Sequence, residues 1–111
     1  MAPAPADALL DRLRDRDAVV RCQAARDIGT ARLRSGVREL IQVLADDASA
    51  PVRSAAAEAL GKIGDATARG PLERALRSER EDAVKGAIAV ALSHLGAASG
   101  DYPGIVPVSE E

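Results

Sequence analysis

The stretch Val52-Arg53-Ser54-Ala55-Ala56-Ala57-Glu58-Ala59-Leu60-Gly61-Lys62-Ile63-Gly64-Asp65 decides the fold. Val52, Ala56 and Leu60 recur every four residues, the spacing of one helix face, and Gly64-Asp65 closes the run with a helix stop. Pro51 stands at the first turn, where a missing N–H removes no helical bond. The same pattern occurs 32 residues to either side: Val20-Arg21 and Val84-Lys85 match Val52-Arg53, and Ile28 and Leu92 match Leu60. Leu40 and Leu44 map onto Leu72 and Leu76 at the same spacing, and Gly64 onto Gly96. Alanine-rich chains give chance alanine matches, but not an apolar-basic pair followed eight residues later by a large aliphatic, three times over. A fixed period of this length signals a stacked array.

Working outward from that stretch, the chain reads as six helices with no strand pattern. Met1 to Ala6 contains Pro3 and Pro5 and is expected to be a disordered leader, residues 1–6. Helices are then expected from Asp7 through Leu9, Leu10 and Leu13, and from Asp17 or Ala18 through Val20, Ala24 and Ile28 to about Gly29. The third carries Val37, Leu40, Ile41 and Leu44, the fourth runs from Val52 to Ile63, the fifth opens at Gly70-Pro71, and the last runs from about Asp82 to Gly96. Paired into hairpins, they form a repeat domain over residues 7–96, with units at about 7–32, 33–64 and 65–96. Residues 97–111 form a proline-containing acidic tail. Tyr102, Ile105, Val106 and Val108 leave three readings of it open: disordered, folded back over the last repeat, or docked on another protein.

Composition bounds the function. Alanine fills 24 of 111 positions, and only 1% of residues are aromatic, against 47% hydrophobic. Small side chains bring helix backbones close, and alanine is the best helix former. No run of about 20 apolar residues spans a membrane, and no basic leader with an apolar core precedes the domain, so the cytoplasm is the expected compartment. Cys22 is the only cysteine, so no disulfide forms within the chain. Each third of the repeat domain balances its arginines and lysines with acids, leaving no basic face and one aromatic ring for base stacking; nucleic acid is not the expected partner. His94, the only histidine, makes no metal site alone. No serine nucleophile motif, Walker loop or dinucleotide fingerprint occurs. The chain therefore reads as no enzyme, with no cofactor.

A second periodicity carries charge. Six residues before each of Arg21, Arg53 and Lys85 stands an acid: Asp15, Asp47 and Glu79. Stacked units would place these acids and bases alternately along one edge, each base reaching its own or its neighbour's carboxylate. Exposed pairs of this kind contribute only about 0 to 1 kcal/mol each, so the ladder is expected to set register more than stability.

The segment from Val52 to Asp65, with Ala66 to Leu76 after it, closely resembles a HEAT repeat of the short bilin-lyase type. The resemblance covers about residues 8–96. It departs from the pattern where Ala31 and Arg32 replace Ile63 and Gly64, where the turn after Leu13 is one residue shorter, and where Ser93 stands for Gly61. It implies an all-α fold, a right-handed α-α superhelix of about three helical hairpins, with the acid-base ladder as a recurring element. It also implies that the second helices form the concave, partner-binding face. Helical spacing then puts Ser54, Glu58 and Lys62 on that face, with Cys22, Arg26 and Thr30 before them and Gly86, Val90 and His94 after. These nine positions differ between units while the core positions agree. The expected function is a non-catalytic protein-protein interaction module or small adaptor for another protein. A bilin-lyase-like enzyme subunit and a nucleic-acid-binding helical repeat are the alternatives. A homodimer through open repeat ends or the tail is a further expectation.

Overall fold

The computed structural model describes residues 5–99. Six helices follow one another: α1 (Pro5–Arg12), α2 (Ala18–Ala31), α3 (Val37–Asp46), α4 (Ala50–Ile63), α5 (Arg69–Ser78) and α6 (Asp82–Ser99). Two single turns of 3-10 helix, Arg34–Gly36 and Ala66–Ala68, lead into α3 and α5. No strand occurs among the described residues. The helices pack as hairpins α1/α2, α3/α4 and α5/α6, and α4 packs against both α2 and α6. The molecule is an all-α helical repeat solenoid. The tail readings fall outside the described residues.

Local chemistry sets the helix ends. The Asp17 carboxylate accepts from the Val19 N–H at 2.9 Å, an N-cap that opens α2. α4 stops at Gly64, whose φ of 75° lies in the left-handed region that glycine enters freely. α2 stops the same way at Arg32, φ 54°, although a side chain there costs about 1 to 2 kcal/mol. The Arg32 N–H donates to Gly29 and the Leu33 N–H to Ile28, which satisfies two of the last four carbonyls of α2.

Two boundaries differ from the sequence expectation. α1 begins at Pro5, inside the stretch expected to be a disordered leader, because proline in a first turn lacks only an N–H that has no helical partner. α6 does not stop at Gly96 but runs to Ser99. Gly64 is followed by Asp65, whose carboxylate accepts from the Thr67 N–H and starts the next turn. Gly96 is followed by Ala97 and Ala98, strong helix formers with no such competing cap.

The core is aliphatic throughout. Ile28, Leu40, Leu60, Leu72, Val84, Ile88 and Leu95 are fully buried in one contiguous cluster, and Val52 is fully buried as well. Val20, expected to be buried like Val52 and Val84, is only half-buried. The covering helix is shorter there: α1 has 8 residues where α3 and α5 have 10.

The second helices stand closer together than the first ones. A Cβ built on Gly29 would lie 2.6 Å from the Ala59 Cα, and one built on Gly61 would lie 2.9 Å from the Ala91 Cα. Those backbones are in contact. Between α3 and α5, by contrast, an open groove of about 440 Å³ runs from Ile41, Leu44, Pro71 and Ala75 to the charged turn at Asp47, Arg53 and Glu79. The two layers are therefore spaced unequally, with α2, α4 and α6 packed more closely than α1, α3 and α5.

Candidate partner-binding face

Neighbours fence α4 on both flanks and from beneath. Along it only Pro51, Glu58 and Lys62 are exposed, Ala50, Arg53 and Ser54 are half-buried, and every other residue is buried. The open side of α4 is therefore a single stripe at helical spacing. On α2 the matching positions are Arg26 and Thr30, both exposed, and Cys22, half-buried because its Sγ lies 3.8 Å from the Pro51 carbonyl. On α6 they are Gly86, Val90 and His94, all exposed. Val90 is 56% exposed, unusual for a large apolar side chain. A Cβ on Gly86 would meet nothing within 4 Å, so packing does not require the glycine. The nine positions thus lie on three adjacent helices and change from basic at Arg26, through mixed charge at Glu58 and Lys62, to apolar at Val90.

The charged ladder occupies a different edge, at the turns between the helices of each unit. The Arg21 Nε and Nη2 donate to the Asp47 carboxylate at 2.8 and 3.0 Å, a forked pair. The third arm, Nη1, donates to the main-chain carbonyls of Asp15 and Arg16. Arg53 repeats this on Glu79, at 3.0 and 2.9 Å, while its Nη1 donates to the Asp47 carbonyl at 2.8 Å. Each arginine thus grips the carboxylate of the following unit and the backbone of its own.

Two expectations change. These are not exposed pairs: the four side chains are at most 18% exposed. And among the described residues Lys85 pairs not with Glu79 but with Asp82 on its own helix, at 4.0 Å and 45% exposed. Arg53 already occupies Glu79, and an ammonium lacks the fork. At the opposite end the Asp15 carboxylate accepts from the Asp17 N–H.

The pairing shows in the ionisation of the acids. Burial pushes the Asp47 carboxyl up, but the Arg21 guanidinium and the Ser49 N–H outweigh it and hold it below the usual carboxylate range. Glu79 is held low chiefly by Arg53, against burial, with help from the N–H groups of Glu81 and Arg80. Arg21 and Arg53 are raised by the same hydrogen bonds.

The glycine-alanine contacts that set the spacing of the second helices are the structural element missed in the sequence. Their signal was the register: Gly29 and Gly61 stand 32 apart, and so do Ala59 and Ala91. Among the described residues no group of three or more His, Cys, Asp or Glu side chains is placed to hold a metal ion, and no helix is long and apolar enough to cross a membrane.

A family model for HEAT repeats matches residues 6–93. The chain belongs to the HEAT-repeat family. HEAT repeats generally mediate protein-protein interaction and are typically non-catalytic scaffolds. No match is found among curated proteins. In HEAT terms α1, α3 and α5 are the first helices of the three repeats, and α2, α4 and α6 the second.

Proposed function

We propose that this HEAT array is a non-catalytic protein-interaction module that holds its partner on the stripe formed by Cys22, Arg26, Thr30, Ser54, Glu58, Lys62, Gly86, Val90 and His94. One observation carries the reading: α4 is exposed only at Pro51, Glu58 and Lys62, with Ser54 half-buried between them, so this helix has a single side on which to meet a partner. The stripe holds both signs of charge and one apolar patch, with no aromatic anchor. Recognition on it depends on charge and shape, and modest affinity follows from the absence of the usual aromatic hot spots. The ladder of Asp15, Arg21, Asp47, Arg53, Glu79 and Lys85 is assigned a structural role, since its inner members are satisfied within the chain.

Affinity capture from the native host tests this, with wild type, Glu58→Arg, Arg26→Glu and, as control, Arg38→Glu at an exposed position on the first helix α3 compared side by side. Proteins retained by wild type and Arg38→Glu but lost from both stripe variants, at unchanged melting temperature, are the expected result. Equal retention by all four sinks the assignment. Retention on DNA at physiological salt, lost as salt rises, would favour the nucleic-acid alternative instead.

A further inference from the structure

The two clefts beside α3 are related by the 32-residue shift, yet they differ in character. The groove between α3 and α5 is walled by half-buried Ile41, Pro71 and Ala75 and by buried Leu44. At its charged end Asp47 and Glu79 are already gripped by Arg21 and Arg53, which leaves exposed Arg74 and Arg80 beside one further carboxylate, Glu81. The cleft one repeat earlier, between Leu13 and α3, measures about 280 Å³. It has Glu39 in place of Pro71, Gln42 in place of Arg74 and Asp46 in place of Ser78, with Arg14 as its base. An apolar groove with a basic end thus stands next to a smaller acidic cleft. The first suits an apolar segment that ends in negative charge, and the second repels it.

This chain supplies such a segment. Residues 100–111 hold three acids, Asp101, Glu110 and Glu111, and no base, and the run Ile105-Val106-Pro107-Val108 precedes the last two. Pro107 biases Val106 toward extended backbone and brings no N–H to satisfy inside an apolar groove. Four residues in extended proline-type backbone span about 12 Å, and α5 rises about 10 Å from Pro71 to Ser78. The reach is short. The Arg69 Nη2 donates to the Leu95 carbonyl at 3.4 Å, so the last turns of α6 stand beside the start of α5, where Pro71 opens the apolar end of the groove. The chain from Ser99 to Ile105 spans up to about 20 Å. Entering there, the segment meets the groove in matching order, apolar on apolar and then acidic on basic.

We propose that residues 100–111 fold back into the groove between α3 and α5 of their own chain, with Ile105-Val106-Pro107-Val108 on its apolar walls and the terminal acids on Arg74 and Arg80. Of the three readings of the tail this is the fold-back, placed in the groove. The segment bridges the second and third repeats where their first helices stand apart, and it leaves the stripe on α2, α4 and α6 to a partner.

Disulfide trapping in the full chain tests the proposal, because a disulfide forms only where two Cα atoms come within about 7 Å. With the native thiol removed by Cys22→Ser, Ser109→Cys is combined in turn with Ser78→Cys in the groove, Asp46→Cys in the acidic cleft and Glu58→Cys on the stripe, three exposed positions. Closure is followed in glutathione buffer, with the products weighed as monomer or dimer. The Ser78 combination is expected to close within the monomer at least about tenfold faster than the other two, a difference in effective concentration. Adding Ala45→Glu and Arg80→Glu, both at exposed groove positions, fills the groove and reverses its charge, and should slow that closure at least about fivefold. The proposal is overturned if the Glu58 combination closes fastest, which puts the segment on the stripe, or if all three close within about threefold of one another. Disulfide-linked dimer as the main product overturns it in favour of a second copy. Undiminished closure in the Ala45→Glu/Arg80→Glu background, at unchanged helical signal, overturns it as well. If that background loses its helical signal, the comparison of the three combinations decides.

Discussion

The first-helix layer (α1, α3, α5) and the second-helix layer (α2, α4, α6) are generated by the same 32-residue shift, yet they pack by opposite means. In the second layer Gly29 and Gly61 let backbones touch Ala59 and Ala91. In the first, Leu40 and Leu72 are fully buried, and an open groove separates α3 from α5. Added atoms are resisted where second helices touch backbone to backbone, and removed atoms are felt in the aliphatic core that first and second helices share. Side-chain size, more than propensity, sets the separation of helices.

The strongest way to break this comparison is to empty the aliphatic layer. Leu72→Ala on α5 and Leu60→Ala on α4 should each destabilise by about 2 to 5 kcal/mol in denaturant unfolding, because each leaves a cavity among fully buried side chains. A cost below about 1 kcal/mol would remove that residue from the core.

Next comes the edge where both layers meet. Arg53→Ala removes three charge-assisted hydrogen bonds and should cost about 1.5 to 3 kcal/mol, whereas Lys85→Ala should cost less than about 0.5 kcal/mol. Equal costs would mean that the forked geometry contributes nothing. Asp47 and Glu79 titrate lower in the folded chain than their unfolded values of about 3.9 and 4.3. Their stabilisation is therefore complete above those values and is lost as pH falls through the folded ones. Thermal melts should show a decline below about pH 4, shallower in Glu79→Gln. The raised arginines lose their contribution only in strong alkali.

A smaller but sharper test uses one substitution at two sites in the same layer. Gly29→Ala should destabilise by about 1 to 3 kcal/mol, since its Cβ would lie 2.6 Å from the Ala59 Cα. Gly86→Ala, facing open space, should stabilise by about 0.5 to 1 kcal/mol through helix propensity alone. Two changes of the same sign would show that backbone contact does not set the spacing of the second layer.

The helices and their register are legible in the sequence because a repeat states its pattern three times, and Val52, Leu60, Leu72 and Ile88 stand where periodicity puts them. The failures lie where local and tertiary signals separate. Pro5 reads as a breaker until its place in a first turn is known. Gly96 reads as a stop until the missing cap after it is weighed. Val20 matches Val52 in sequence but not in burial, because burial depends on the length of the helix above it. In the ladder, spacing gives the charges but not the choice between a base's own acid and the next one. That choice follows from the stacking of the units, which sets Arg21 against Asp47 and Arg53 against Glu79.

Each arginine clip joins residues 26 apart in the chain, about one unit, so neither junction waits on a long loop to close. Chains built from such short closures fold fast, and order spreads from whichever unit forms first. α4 alone has a second helix packed on each side. Its amides should exchange with solvent most slowly, those of α1 fastest, and folding should proceed outward from the middle of the chain toward both ends.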